Sequence, residues 1–352
     1  MSTLIALFLI FAFFRTPMLA QESTPTPAIE PQTAPLPAVY TLSGFDFERQ
    51  GWNNCGPATL TNALTFFGYT DNQFRAAGWL KPNTEDKNVT LAQMVEFVST
   101  EIPELPVNAL ERAGGTLEIL KRLLASDFPV VIHIGFDPVD DASGWMGHYL
   151  LLSGYDDGDG VFITQDSYHG ADQPYDYAFL QEMWQHFNYE YVVLYENERA
   201  QQLLDLLGDD ADAALNAASA LEQAEAEASA DPANAFAYFN MGTNLISIGE
   251  MQRAAASFDE ARRIGIPWRM LWYQFGPFEA YLAVGRYADV LDLARANLND
   301  GGGHYVEETF YYAALAREAL GDRDRAINNL YEAINLNPNF SPAREKLVQL
   351  TQ

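Results

Sequence analysis

Apolar positions change their period along the chain, and each change predicts a different element. The run Leu4–Phe14, "LIALFLIFAFF", is continuous but too short to span a bilayer alone. Residues 21–38, "QESTPTPAIEPQTAPLPA", are rich in Pro, Ser and Thr and predict an extended spacer. In "CGPATLTNALTFFG" (55–68) Leu60, Ala63, Leu64 and Phe67 share one helical face, with Pro57 in the first turn and Gly68 as terminator. The β-branched run "FPVVIHIGF" (128–136) predicts a buried strand opened by Pro129. "GHYLLLSGYDD" (147–157) and "GVFITQDSY" (160–168) predict two more, joined by the turn "DDGDG". From residue 200 the composition shifts to Ala, Glu, Gln and Leu, which favours helix.

A repeat follows. "LISIGEMQRAAASF", "YLAVGRYADVLDLA" and "REALGDRDRAINNL" align on Gly249, Gly285 and Gly321, with 36 residues between successive glycines. Five and nine positions beyond each glycine stand Ala254 and Phe258, Val290 and Ala294, Ala326 and Leu330. Each unit therefore predicts two helices joined at the glycine, with stacking between units burying their faces.

Length and charge set limits on function. At 352 residues the chain has room for about two domains. A formal charge of −28 argues against sequence-independent binding to nucleic acid or an anionic membrane surface. Residues 1–20 are expected to act as a secretory signal or, left uncleaved, as a membrane anchor. No Lys or Arg precedes the apolar run, and "PMLA" ending at Ala20 is a weak cleavage site. The expected order is this segment, the spacer at 21–38, a first domain at 39–198, a helical connector at 199–230 and the repeats at 231–350. The protein is then secreted or extracytoplasmic, and touches a membrane only through an uncleaved amino-terminal segment.

Export makes the single cysteine conspicuous. In an exported chain a lone thiol is reactive, bridges to another molecule, or fills a core position. Cys55 opens the helix at 55, where unpaired N–H groups and the helix dipole favour an anion, and the thiolate is the nucleophilic form. Gln50 lies five residues upstream, and a turn through Gly51, Asn53 and Asn54 could bring its amide beside the sulfur to form an oxyanion hole with the Cys55 N–H. Gln50 could equally be an exposed loop residue. Of the five histidines, His148 opens the second predicted strand while Asp166 closes the third. Folding the hairpin at 157–159 places them within a residue or two of facing each other, the arrangement of an acid that orients an imidazole base. His133 reads as a satisfied strand residue; His169, His186 and His304 read as structural or exposed.

The order Gln, Cys, His, Asp resembles that of the papain-like cysteine peptidases. Residues 39–198 resemble the peptidase C39-like family, relatives of the bacteriocin-leader-processing peptidases, through "QGWNNCGPATLTNALTFFG", "LKPNTEDKNVT", "GGTLEILKRLLASDFPVVI", "WMGHYLLLSGYDD" and "ITQDSYHG". The resemblance implies Cys55 as nucleophile, His148 as general base and acid, Asp166 as orienting acid and Gln50 as oxyanion donor. The leader-processing members usually carry exporter domains that are lacking here, and the same fold also supports transferases and silent binding proteins. "NTEDKNVT" (83–90) would shape a substrate cleft or form a plain surface loop.

The second half resembles the tetratricopeptide repeat, best in "ALGDRDRAINNLYEAINLNPN". The middle unit departs, with "LWYQFGPFEAYL" and with Asn297 where a small residue is usual; its aromatic residues would fill an irregular joint or line a peptide-binding face. The fold class expected is α+β, a papain-like domain followed by an all-α repeat domain. The function expected is hydrolysis of peptide bonds in a peptide or protein substrate, with a protein partner on the repeats or with the repeats supporting the catalytic domain. A silent peptide-binding scaffold and an acyl or amide transferase are the alternatives. No cofactor or metal is expected: "DDGDG" lacks the further ligands of a calcium loop, no His/Cys cluster suits zinc, and no glycine-rich phosphate loop is present.

Overall fold

The computed structural model describes residues 35–137, 144–299 and 301–352, so the expected signal or anchor and most of the spacer lie outside the described residues. Strands β1 (Val39–Thr41), β2 (Val107–Arg112), β3 (Val130–Phe136), β4 (Met146–Asp156), β5 (Val161–Asp166), β6 (Gly170–Asp176) and β7 (Tyr191–Glu196) form one sheet. All pairings are antiparallel, in the order β2-β7-β3-β4-β5-β6, with β1 paired to β4. Helices α1 (Cys55–Thr65), α2 (Gln73–Leu80) and α3 (Leu91–Thr100) bury Leu60, Leu64, Met94 and Phe97 against Val131, Tyr149 and Leu151 on one face. Helices α4 (Leu117–Leu124), α5 (Tyr177–Gln185) and α6 (Ala200–Leu207) bury Leu120, Leu124, Trp184 and Leu203 against Val130, Ile132 and Leu150 on the other. Because both faces are covered, β3 is buried along its whole length, which explains its unbroken apolar sequence.

The β4–β5 hairpin decides where the site lies. Asp156 pairs with Val161 and Leu151 with Gln165. The Asp156 carboxylate accepts from the N–H groups of Gly158 and Asp159 at 2.8 and 3.3 Å, so "DDGDG" is a hairpin turn. The last residues of the expected spacer are docked: Tyr155 Oη donates to the Pro37 carbonyl at 2.9 Å and Asp157 N to that of Ala38 at 2.8 Å.

Beyond α7 (Ala213–Ala230) come α8 (Ala235–Ser247), α9 (Met251–Ile264), α10 (Gly276–Ala283), α11 (Tyr287–Leu298), α12 (Glu307–Ala319), α13 (Arg323–Leu336) and α14 (Ser341–Thr351). Gly249, Gly285 and Gly321 turn α8 into α9, α10 into α11 and α12 into α13 with φ of +83, +77 and +81°, a left-handed backbone that a side chain would strain. The six apolar positions counted from these glycines are all buried, as stacking requires. In the middle unit a 3₁₀ turn at Trp268–Trp272 precedes a short first helix. Asn297 is buried there because its amide donates to the Leu271 carbonyl at 2.8 Å and to Thr309 Oγ1 at 3.1 Å, tying the irregular joint. Phe275 and Phe278 stack on Tyr312, so these aromatic residues serve packing between units.

The repeat half meets the sheet half through α8, the segment before α10 and the start of α12. Asn188 and Asn244 exchange amide hydrogen bonds at 2.7 and 3.1 Å, and Asn240 and Gln274 donate to the carbonyls of Gln185 and His186, both at 2.9 Å. Phe187, Trp272, Tyr273 and Val306 form a shared apolar cluster. Leu36–Gln352 are accordingly one compact unit. Among the described residues no helix is long and apolar enough to cross a membrane.

Candidate active site

Cys55 is the first residue of α1, a half-buried free thiol. The turn before it is braced from α2. Gln73 Oε1 accepts from Gly51 N at 2.7 Å and from Asn54 Nδ2 at 3.1 Å, while Gln73 Nε2 donates to Glu48 Oε2 at 2.9 Å. Asn53 takes a left-handed φ of +54°, a conformation Asn tolerates, and Asn54 N closes the turn on the Gly51 carbonyl at 3.2 Å. One turn into α1, Thr59 Oγ1 donates to the Tyr149 carbonyl at 3.2 Å, which fixes the helix against the strand that carries His148.

His148 and Asp166 are both buried, and His148 Nε2 lies 2.9 Å from Asp166 Oδ1. That contact occupies Nε2 and leaves Nδ1 as the ring nitrogen for the thiol. Burial pushes the imidazolium down, but the hydrogen bonds and charges of Asp166 and Cys55 outweigh it and raise His148 to about 9. Asp166 shows the mirror effect. Burial disfavours its charge, yet His148, the Tyr175 hydroxyl at 2.6 Å and the backbone N–H groups of Tyr168 and His169 at 2.8 and 3.1 Å hold it well below the usual carboxylate range. The imidazolium–carboxylate pair is the favoured state at neutral pH.

Gln50 is fixed by the residue after that acid: Gln50 N donates to the Ser167 carbonyl at 2.9 Å, and Ser167 Oγ donates to Gln50 Oε1 at 3.0 Å. With its oxygen held in this way, the amide nitrogen is free to donate. Gln50, Cys55 and His148 line one cleft of about 350 Å³, together with Phe136, Met146 and Tyr273. All four predicted residues are therefore brought together. Ser167, Tyr175 and Gln73 are not among them, because long-range contacts such as theirs leave no local signal in a sequence. Tyr273, from the repeat half, was equally invisible.

The remaining histidines stand apart. His133 is a buried strand residue stacked between Tyr149 and Phe187, with ring centroids 4.0 and 3.4 Å away, but it is not satisfied. Its Nε2 has no hydrogen-bond partner among the described residues, and burial, then the charge of His148, push the imidazole well below its ordinary value. His133 is thus neutral, which lowers the cost of leaving one ring nitrogen unpaired. His186, lowered to about 4 by burial, stacks on Phe236 at 3.7 Å and accepts from Trp145 Nε1 at 3.1 Å. His169 is partly exposed, with Nδ1 3.3 Å from Asp166 Oδ2, and His304 is exposed.

The loop at 83–90 is more than a surface loop. Lys87 lines the cleft, while Asp86 and Asn88 are buried against the start of α12, where Asn88 Nδ2 donates to Glu308 Oε1 at 3.3 Å. Burial raises Asp86, Glu307 and Glu308; the charge of Glu307 adds to this at Asp86 and Glu308, and Lys81 partly offsets it at Asp86. Among the described residues no group of three or more His, Cys, Asp or Glu is placed to hold a metal ion.

An antiparallel sheet carrying a cysteine on a helix start and a histidine–aspartate pair on a hairpin defines a papain-like class of domain. Residues 39–192 match the family described as the Peptidase_C39 like family. No curated protein matches. Among solved structures, a provisionally assigned C39-like peptidase from Bacillus anthracis is 16% identical, with a TM-score of 0.35 over 45% of this chain and 97% of that one. MamA (41-end) from Desulfovibrio magneticus RS-1 is 18% identical, with a TM-score of 0.35 over 38% of this chain and 74% of that one. YrrB, described as a TPR protein with an unusual peptide-binding site, is 15% identical, with a TM-score of 0.22 over 41% and 88%.

Proposed function

We propose that the chain is an exported cysteine peptidase in which Cys55, His148, Asp166 and Gln50 act together on a peptide bond. The observation that carries this reading is the thiol at the start of α1 lining one cleft with an imidazole whose Nε2 is 2.9 Å from a buried carboxylate. The Cys55 thiolate attacks the scissile carbonyl, forming a C–S bond. The Gln50 amide and the Cys55 N–H receive the developing oxyanion. His148 gives its proton to the leaving amine as the C–N bond breaks, then takes one from the water that hydrolyses the acyl-enzyme. The repeats support the catalytic half and offer their outer faces to a protein partner.

The test is incubation of the full chain with a proteome-derived peptide library, with Cys55→Ala as the blank. Cleavage absent from the blank is the expected result. Product seen only when an amine acceptor is supplied would replace hydrolysis by transfer, and peptide binding without turnover would leave a silent scaffold. Because His148 must be protonated to serve the leaving amine, the rate is expected to fall as pH rises through about 9.

Gln50→Ala is expected to lower kcat about 10²–10³-fold, the usual effect of losing one oxyanion donor. Alkylation of Cys55 by iodoacetamide, which forms no oxyanion, should continue at the wild-type rate. A parallel loss of both would assign Gln50 to holding the turn.

A further inference from the structure

The cleft also carries a charge pattern that the chemistry above does not use. Lys87 lines it, and its ammonium lies 5.9 Å from the ring centroid of Trp52 and 5.8 Å from that of Trp272. Trp52 belongs to the turn before Cys55 and Trp272 to the repeat half, so the lysine is held where the two halves meet. Arg269 rests on the same ring of Trp272, its guanidinium carbon 5.4 Å from the centroid, and its charge reaches the Tyr273 hydroxyl.

Among the described residues neither cation has a carboxylate within ion-pair distance, in a chain of 48 acidic against 20 basic residues. The neighbouring acids are engaged elsewhere. Glu85 accepts from Trp52 Nε1 at 3.4 Å, and Asp86 is buried with Asn88 and Glu307. Aromatic faces keep a cation positioned without neutralising it, and so leave its charge available to an incoming anion. A half-buried lysine at the wall of a substrate cleft favours a carboxylate by a charge-assisted hydrogen bond.

Building on the peptidase reading, we propose that the cleft selects peptide segments carrying a carboxylate, read by Lys87 with Arg269 adding to the field. An acidic side chain and a free chain terminus supply the same group. Binding is measured on the full chain carrying Cys55→Ala, using decapeptide pools in which one position is Glu, Gln or Lys and the terminus is a free acid or an amide. The Glu pool with an amide end is expected to bind about tenfold more tightly than the Gln pool if a side chain is read. The Gln pool with a free acid shows that advantage over its amide if the terminus is read. The preference should weaken with salt, disappear when Lys87→Met is added and persist with Lys87→Arg. Equal binding of all charge states, binding of none, or a preference that Lys87→Met leaves intact would overturn the proposal. A carboxylate preference in binding, alongside a wild-type chain that cleaves no pool, would leave this inference standing and remove the peptidase reading instead.

Discussion

His148→Ala is expected to lower kcat for peptide cleavage by about 10⁴-fold, to nearly the level of Cys55→Ala. The imidazole has two tasks, pairing with the thiol and protonating the leaving amine, and no other histidine can replace it. His133 is neutral and buried, and His169 lies on the far side of Asp166, against Oδ2. The double variant Cys55→Ala/His148→Ala should be no slower than either single one, because residues acting as a unit do not contribute additively. Asp166 keeps Tyr175 and two backbone N–H donors when His148 is removed, so circular dichroism should report an unchanged fold. Asp166→Asn is expected to cost less. An amide oxygen can still accept the His148 N–H, but the charge that raises the imidazolium is lost, so the alkaline limb should move below about 9. Steady-state pH profiles of the wild type and Asp166→Asn check this, and an alkaline limb that stays in place in Asp166→Asn would count against the ion-pair description.

Glu308→Gln is expected to stabilise the protein at pH 8 and to change little at pH 4. Glu308 is 5% exposed, and its Oε2 has no hydrogen-bond partner among the described residues, like Asn88 Oδ1 beside it. Burial first, then the charges of Glu307 and Asp86, raise its carboxyl well above the ordinary range. The groups around it are Asp86 and Asn88 from the 83–90 loop, Lys81 at the end of α2, Glu307 on its own helix, Asn337 after α13 and the hydroxyl of Tyr312. A carboxyl raised on folding holds its proton more tightly in the folded state. Its stability is full below the unfolded value near 4.5 and is lost as pH rises toward the folded value. Glutamine removes that loss, with a gain of about 1–3 kcal/mol at pH 8, the scale of an unsatisfied buried polar group. Chemical denaturation at both pH values measures it. Equal destabilisation at pH 4 and pH 8 would mean that the carboxyl is satisfied in a way the seam does not show.

Several features of the site were legible because they are local. A proline in the first turn and a glycine beyond the last place Cys55 at the start of α1, and the β4–β5 turn sets the register that brings His148 to Asp166. The glycines at 249, 285 and 321 carry the left-handed φ that turns one helix into the next, whatever lies around them. By contrast, "satisfied" failed for His133, because hydrogen-bond partnership depends on which rings the fold stacks around a side chain.

The contacts that complete the cleft join residues far apart in the chain. Ser167 fixes Gln50 across 117 positions, and Asn88 meets Glu308 across 220. Periodicity cannot report such pairs, since it records which face a residue occupies and not what packs on that face. Backbone preferences within a few residues set the helix start under the thiol, the hairpin under the base and acid, and the two-helix repeat, and these could be read from the chain alone. That the repeats close onto the sheet half, lend Tyr273 to the cleft and bury carboxylates at the seam was settled by contacts between distant segments. Those outcomes follow from which apolar and amide surfaces complement each other once both halves have formed.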